Sequence, residues 1–169
     1  MTEQKTTGVP MIRNKLALLA VIAPLAMAAP EVNETRYKDW TQVCLSEGEV
    51  SRCEAIQVLN VTQDEQTRPL LRATLSRVPD GQFLEIALPL GMDLRAGLVI
   101  QIDEGEEQRF AYSTCVAQGC AAVLAVDEAL LATLRAGNRA RLGFRLFGTV
   151  ETQVVELSLA GFTAASEGV

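Results

Sequence analysis

From Trp40 onward, apolar and polar residues alternate with a period close to two, which is the pattern of strands with one buried face. Asp39 to Cys44 forms a first such run, and a turn at Ser46 to Gly48 leads into Arg52 to Thr62, with Ile56, Val58, Leu59 and Val61. After a polar loop at Gln63 to Thr67, Leu70 to Arg77 and Gln82 to Leu88 flank Pro79-Asp80-Gly81, a turn signal that predicts a hairpin. Leu84, Ile86 and Leu88 are expected on one face. A connection rich in Pro and Gly reaches Leu98 to Asp103, which alternates again, as does Gln108 to Thr114, where Phe110 and Tyr112 are expected to share a face. Cys120 to Val126 is an apolar strand of small residues. The period then changes: Asp127 can cap a short helix with Leu130, Leu131 and Leu134 along one side and Gly137 closing it. Arg139 to Phe147 alternates most regularly, with Ala140, Leu142, Phe144 and Leu146 directed inward and Arg139, Arg141 and Arg145 outward. Gln153 to Leu159 repeats the pattern. Nine or ten closely spaced strands with one short helix predict a single all-β domain, a β-sandwich or partly closed barrel.

The first residues differ. Arg13 and Lys15 precede an apolar run from Leu16 to Ala29, and Ala26-Met27-Ala28 fits the small-x-small cleavage rule. Residues 1–28 are therefore expected to be an N-terminal extension and secretory signal peptide, cut after Ala28. The run is shorter than the roughly 20 residues needed to span a bilayer, so no stable membrane span is expected after cleavage. No Cys follows it to carry a lipid. Residues 29–37 are expected as a flexible segment, 38–164 as the domain, and 165–169 as a tail. The predicted location is the periplasm or outer cell envelope, with secretion as an alternative.

Composition narrows the function. The formal net charge is −6, and losing Lys5, Arg13 and Lys15 with the leader makes it more negative, which disfavours nucleic acid as a partner and disfavours docking on an anionic membrane surface. The chain has no His, so Ser-His-Asp and Cys-His activation are excluded and the commonest zinc ligand is missing. Cys44, Cys53, Cys115 and Cys120 all follow the leader, and an even number in an exported chain favours disulfides. Four cysteines allow three pairings. The local pairs, Cys44–Cys53 and Cys115–Cys120, are favoured because each would staple two strands or one turn. Neither spacing is that of a zinc ribbon or a thioredoxin-like site, although a thiol–disulfide role for Cys115 and Cys120 remains an alternative.

Three further groups carry candidate chemistry. Asp103, Glu104, Glu106 and Glu107 surround Gly105, as a solvated hairpin tip or as oxygen donors for calcium in a small-ligand sandwich. Glu85, Asp93 and that cluster could include a carboxylate pair for glycan cleavage. Arg139, Arg141 and Arg145 would align three guanidinium groups on one strand face, suited to carboxylate or phosphate on a partner, or to pairing with Glu151 and Glu156. Trp40 and Tyr112 could be contact aromatics, although half-buried sheet positions are the default.

Trp40, Cys44, Cys53 and Gln57, then Leu88-Pro89-Leu90-Gly91, Gly97 and Ile102-Asp103, then Tyr112, Cys115 and Gly119-Cys120, and finally Ser158-Leu159-Ala160-Gly161-Phe162 follow in an order that resembles the invasion-associated locus B family of bacterial envelope proteins. The resemblance covers about residues 38–164. It implies an all-β fold and export to the periplasm or outer envelope. Some members in pathogens are linked to entry into host cells, notably erythrocytes, while others occur in bacteria that invade nothing. It brings no catalytic residues, and the cysteines and glycine motifs match as structural elements. The expected function is that of an exported, non-enzymatic envelope protein, without cofactor or metal, that binds or stabilises an envelope or host-surface protein or glycan.

Overall fold

The computed structural model describes residue 29 and residues 31–169, and the expected signal peptide lies outside them. The strands are β1 (Glu31–Tyr37), β2 (Trp40–Glu47), β3 (Val50–Gln63), β4 (Gln66–Val78), β5 (Gly81–Leu88), β6 (Leu98–Ile102), β7 (Gln108–Phe110), β8 (Tyr112–Val116), β9 (Gly119–Val126), β10 (Arg139–Arg145) and β11 (Thr152–Ser158). Two helices, α1 (Glu128–Ala136) and α2 (Phe162–Ala165), complete the set. The strands form two antiparallel sheets, of order β1-β2-β3-β4-β5-β9-β8 and β11-β10-β6-β7. The result is the expected β-sandwich.

Alternation explains the core. Leu71, Ala73 and Leu75 of β4 and Leu84, Ile86 and Leu88 of β5 face Leu98 and Ile100 of β6 and Leu142 and Phe144 of β10 across one buried layer. Val78 pairs with Gly81 around the predicted Pro79-Asp80 turn. The long β3–β4 ladder shifts register at Leu59/Asn60, beside Pro69, which lacks the N–H that an unbroken ladder needs. Asp127 caps α1, its carboxylate accepting from Leu130 N at 2.8 Å. Gly137 ends the helix in an extended rather than left-handed conformation. It has to be small because a Cβ there would lie 2.8 Å from both Ile102 Cγ2 and Leu159 Cδ1.

Four expectations need correction. Residues 31–37, expected to be flexible, pair along their whole length with β2, from Glu31↔Ser46 to Tyr37↔Trp40. This is an edge strand with both faces largely exposed, so it carries no apolar alternation. Gln108 to Thr114 is not one strand, because β7 joins the four-stranded sheet and β8 the seven-stranded one. Phe110 pairs with Leu98 and Tyr112 with Ala122, so they lie in different sheets. Leu146 does not continue the buried face of β10 and is 39% exposed, in an isolated bridge to Met92. Residues 165–169 are not a loose tail. Phe162, Ala165, Ser166 and Val169 are buried, and Gln82 Nε2 and Arg77 Nε donate to the Val169 main-chain oxygen at 2.7 and 3.0 Å.

A buried polar lock joins the sheets. Trp40 Nε1 donates to Ser158 O at 2.7 Å, Gln57 Nε2 donates to the same oxygen at 3.0 Å, and Ser158 N donates back to Gln57 Oε1 at 3.1 Å. Trp40 is fully buried, so it is a core residue, and its ring meets Phe162 edge-on at 4.9 Å. No helix among the described residues is long and apolar enough to cross a membrane.

Candidate functional site: an arginine-lined groove

The cysteines pair locally, Cys44 with Cys53 across β2–β3 and Cys115 with Cys120 across β8–β9. Both pairs sit directly opposite in the ladder, and no cysteine among the described residues is free. Neither pair stands at a helix N-terminus, where a thiolate would be stabilised.

The acidic cluster is divided between structural tasks. The Asp103 carboxylate accepts from the backbone N–H groups of Asn138 and Arg139 at 3.1–3.2 Å, holding the start of β10. Glu104 pairs with Arg139 at 3.4 Å and Arg141 at 3.5 Å. Among the described residues no three carboxylate, Cys or His side chains converge as metal ligands do. Glu85 points outward from the seven-stranded sheet, whereas Asp93 is bound to Arg145 of the other sheet, so the two do not share a site.

The arginine row occupies the outer face of β10, as expected, and its members differ. Arg139 pairs with Glu104 and, at 3.7 Å, with Glu156; Glu151 takes no part in these ion pairs. Arg145 grips Asp93 through Nε at 3.2 Å and Nη2 at 2.9 Å, and Asp93 also accepts from the Arg95 amide. Burial alone would push the Asp93 carboxyl up. The hydrogen bonds from Arg145 and the Arg95 amide, with the Arg145 charge, outweigh it and hold the carboxyl below the ordinary carboxylate range. That pairing stabilises the fold above pH about 4 and is lost as pH falls through the depressed folded value. Asp93→Asn is therefore expected to lower stability at pH 7 and to shrink the stability difference between pH 7 and pH 3. Urea unfolding at both values checks this, and an unchanged difference would remove Asp93 from the acid response.

Arg141 is the member with capacity to spare. Its Nη2 donates to the Asp103 carbonyl at 3.4 Å, while its buried Nε has no partner. Two residues on, where alternation calls for another outward side chain, stands Gly143. Across the sheet Gly143 lies opposite Val154 on one side and Val99 on the other, and Val99 lies opposite Arg109. The missing side chain opens a groove of about 320 Å³ with Val99 and Gly143 in its floor and Gln101, Glu107, Arg109, Arg141, Thr152 and Val154 around it, Glu107 being its one carboxylate. A smaller pocket of about 80 Å³ continues it past Arg145. Arg109 donates to the Ala96 carbonyl at 3.0 Å and makes no ion pair among the described residues. A cleft of similar size, about 330 Å³, lies between α1 and the Asp103–Glu107 turn, but it carries Glu106 and Asp127 rather than arginine. Sequence reading missed Arg109, because only the β10-β6-β7 order brings it beside Arg141, and missed Gly143, whose gap in the outward row matters only once neighbouring strands wall it in. Tyr112 stands away from this groove, in β8 of the other sheet. Burial, with a smaller contribution from the Asp93 charge, pushes its phenol up to about 12.

Comparison with known proteins gives consistent results. A sequence model of the family described as "Invasion associated locus B (IalB) protein" matches residues 40–169. Two proteins called Invasion protein B homolog, from Brucella abortus strain 2308 and from biovar 1 strain 9-941, are each 31% identical over 150 residues, covering 88% of this chain and 85% of theirs. The crystal structure of invasion associated protein B from Bartonella henselae superposes with a TM-score of 0.64 at 22% identity. It covers 79% of this chain and 91% of its own.

Proposed function

Because the chain belongs to the invasion-associated locus B family, we propose that it is an exported, non-enzymatic binding domain of the bacterial cell envelope whose contact face is the groove over Gly143. The observation that carries this reading is the placing of Arg109, Arg141 and Arg145 around a strand position without a side chain, in a chain of net negative charge. Guanidinium forks suit bidentate contact with carboxylate or phosphate, so the partner class is an anionic group on an envelope or host-surface protein or glycan. The invasion link of the relatives' names brings the host surface into that choice. The absence of His from the chain, and the use of Asp93, Asp103 and Glu104 in ion pairs and backbone contacts, support a binding role over a hydrolytic one.

The test is crosslinking in the producing cell, with capture and mass spectrometry of what accompanies the protein. Wild type is expected to bring down a reproducible partner that Arg109→Ser with Arg141→Ser loses, with a fall in affinity of about tenfold or more for two charge-assisted contacts. Gly143→Leu should do the same by filling the groove, since a Cβ there meets only Thr152 Cγ2 at 3.4 Å and Val99 Cβ at 3.6 Å and the fold can accept it. A partner retained by both variants would move the contact face elsewhere. Mixed-disulfide adducts through Cys115 or Cys120 would instead support the thiol–disulfide reading.

A further inference from the structure

Six of the twelve exposed large apolar side chains among the described residues gather at one end of the sandwich: Leu90, Leu94, Val116, Leu146, Phe147 and Val150. They stand on three turns, the β5–β6 connection and the tips of the β8–β9 and β10–β11 hairpins. The turns adjoin. Met92 bridges Leu146, Phe147 N donates to Gly91 O at 2.8 Å, and Asp93 N donates to Arg145 O at 2.8 Å. On the other side Cys120 pairs with Leu88, and Gly119 approaches the Leu88 carbonyl so closely that a Cβ would sit 2.3 Å from it. The Cys115–Cys120 disulfide and the Asp93–Arg145 ion pair brace these turns. Their apolar residues are thus held out, with Phe147 at 72% and Val150 at 90% exposure. Contiguous apolar surface held in water in this way marks a contact site.

The charge around the turns selects the occupant. Asp93 is buried and paired with Arg145 at 2.9 Å and with Arg95 at 3.4 Å, while the Arg95 side chain is 86% exposed and Arg109 lies against the Ala96 carbonyl behind the first turn. Against these stands Glu151, so the three turns with Arg109 carry a small excess of positive charge within an acidic chain. The side chains project from hairpin tips, and none of the six lines the groove or the α1 cleft described above. Convex apolar tips with arginine behind them suit a fluid interface that closes around them, with guanidinium groups at headgroup level. We propose that this end of the domain docks on a lipid surface bearing anionic headgroups, inserting Phe147, Val150 and Leu90. The inserting residues lie outside the groove, and Arg109 is shared between the two contacts.

The natural chain allows a direct readout, because its single Trp, Trp40, is fully buried and its emission should not respond to lipid. Phe147→Trp places a reporter at the tip. With vesicles of phosphatidylglycerol and phosphatidylcholine, its emission is expected to shift to the blue and to be quenched by acyl-chain bromine. The response should be weaker with phosphatidylcholine alone. Leu90→Ser with Val150→Ser in that background should weaken vesicle binding about tenfold or more, as expected from removing two buried apolar side chains. Vesicle binding that leaves the reporter unmoved, or no binding to either composition, would overturn the proposal. An equal response to both compositions would overturn the role given to Arg95 and Arg109.

Discussion

Gly161→Ala is expected to destabilise the domain by about 3–5 kcal/mol, a large part of the roughly 5–15 kcal/mol that holds such a domain folded. Gly161 has φ +90°, and a Cβ there would stand 1.8 Å from the Tyr37 carbonyl oxygen and 2.7 Å from its carbon. The obstacle is backbone, so no side-chain rotation relieves it. Either the β1–β2 turn retreats, breaking the contact of Asp39 N with Ala160 O, or α2 lifts and takes Phe162 out of the core. Gly148→Ala is the control. Gly148 also has positive φ, at +81°, but nothing lies within 4 Å of its Cβ position. It should cost only the conformational strain, about 1–2 kcal/mol. Urea midpoints for the two variants would separate strain from collision, and equal losses would show that close approach is not why glycine is needed at 161.

Trp40→Ala should cost about 3–5 kcal/mol, because it removes a fully buried indole together with its edge contact on Phe162 and its hydrogen bond to Ser158 O. Trp40→Phe divides that effect. It retains most of the apolar packing, and Ser158 O still receives Gln57 Nε2, so no acceptor is orphaned. A loss of about 1–2 kcal/mol is expected, the range for one hydrogen bond and a smaller ring. Circular dichroism during urea unfolding checks both, since the natural fluorophore is the residue removed. If Phe cost as much as Ala, the hydrogen bond rather than packing would dominate the lock. The lock matters to the groove because Ser158 ends β11, whose Val154 forms one groove wall.

The strands that were legible in the sequence are those with one buried face. β5 and β10 show it most directly, since Leu84, Ile86 and Leu88, and Ala140, Leu142 and Phe144, occupy alternate positions and all reach the core. The helix was legible through Asp127, whose side chain satisfies a first-turn N–H that no preceding carbonyl geometry could use otherwise. Cys pairing between neighbours was legible as well, because each pair flanks a short turn. The strand β1 was not. An edge strand exposed on both faces is held by backbone hydrogen bonds that any residue other than proline can supply, so Glu31 to Tyr37 leaves no trace in the pattern. The same reason hides the switch between β7 and β8.

For the candidate sites the division falls along the same line. Local periodicity determined the all-β class and the outward row Arg139, Arg141 and Arg145. It could not determine which of those arginines is already satisfied. Asp93 and Glu104 reach Arg145 and Arg139 only through loops folded back on the four-stranded sheet, and Arg141 keeps an unpartnered Nε. Nor could it bring Arg109 beside Gly143, or gather Leu90, Val116 and Phe147 at one end, since these residues meet across strands far apart in sequence. Alternation along a strand records which face is buried, because burial acts on each side chain separately. A groove or a docking end depends on which strands become neighbours, and that is decided when the two sheets pair and close over a common core.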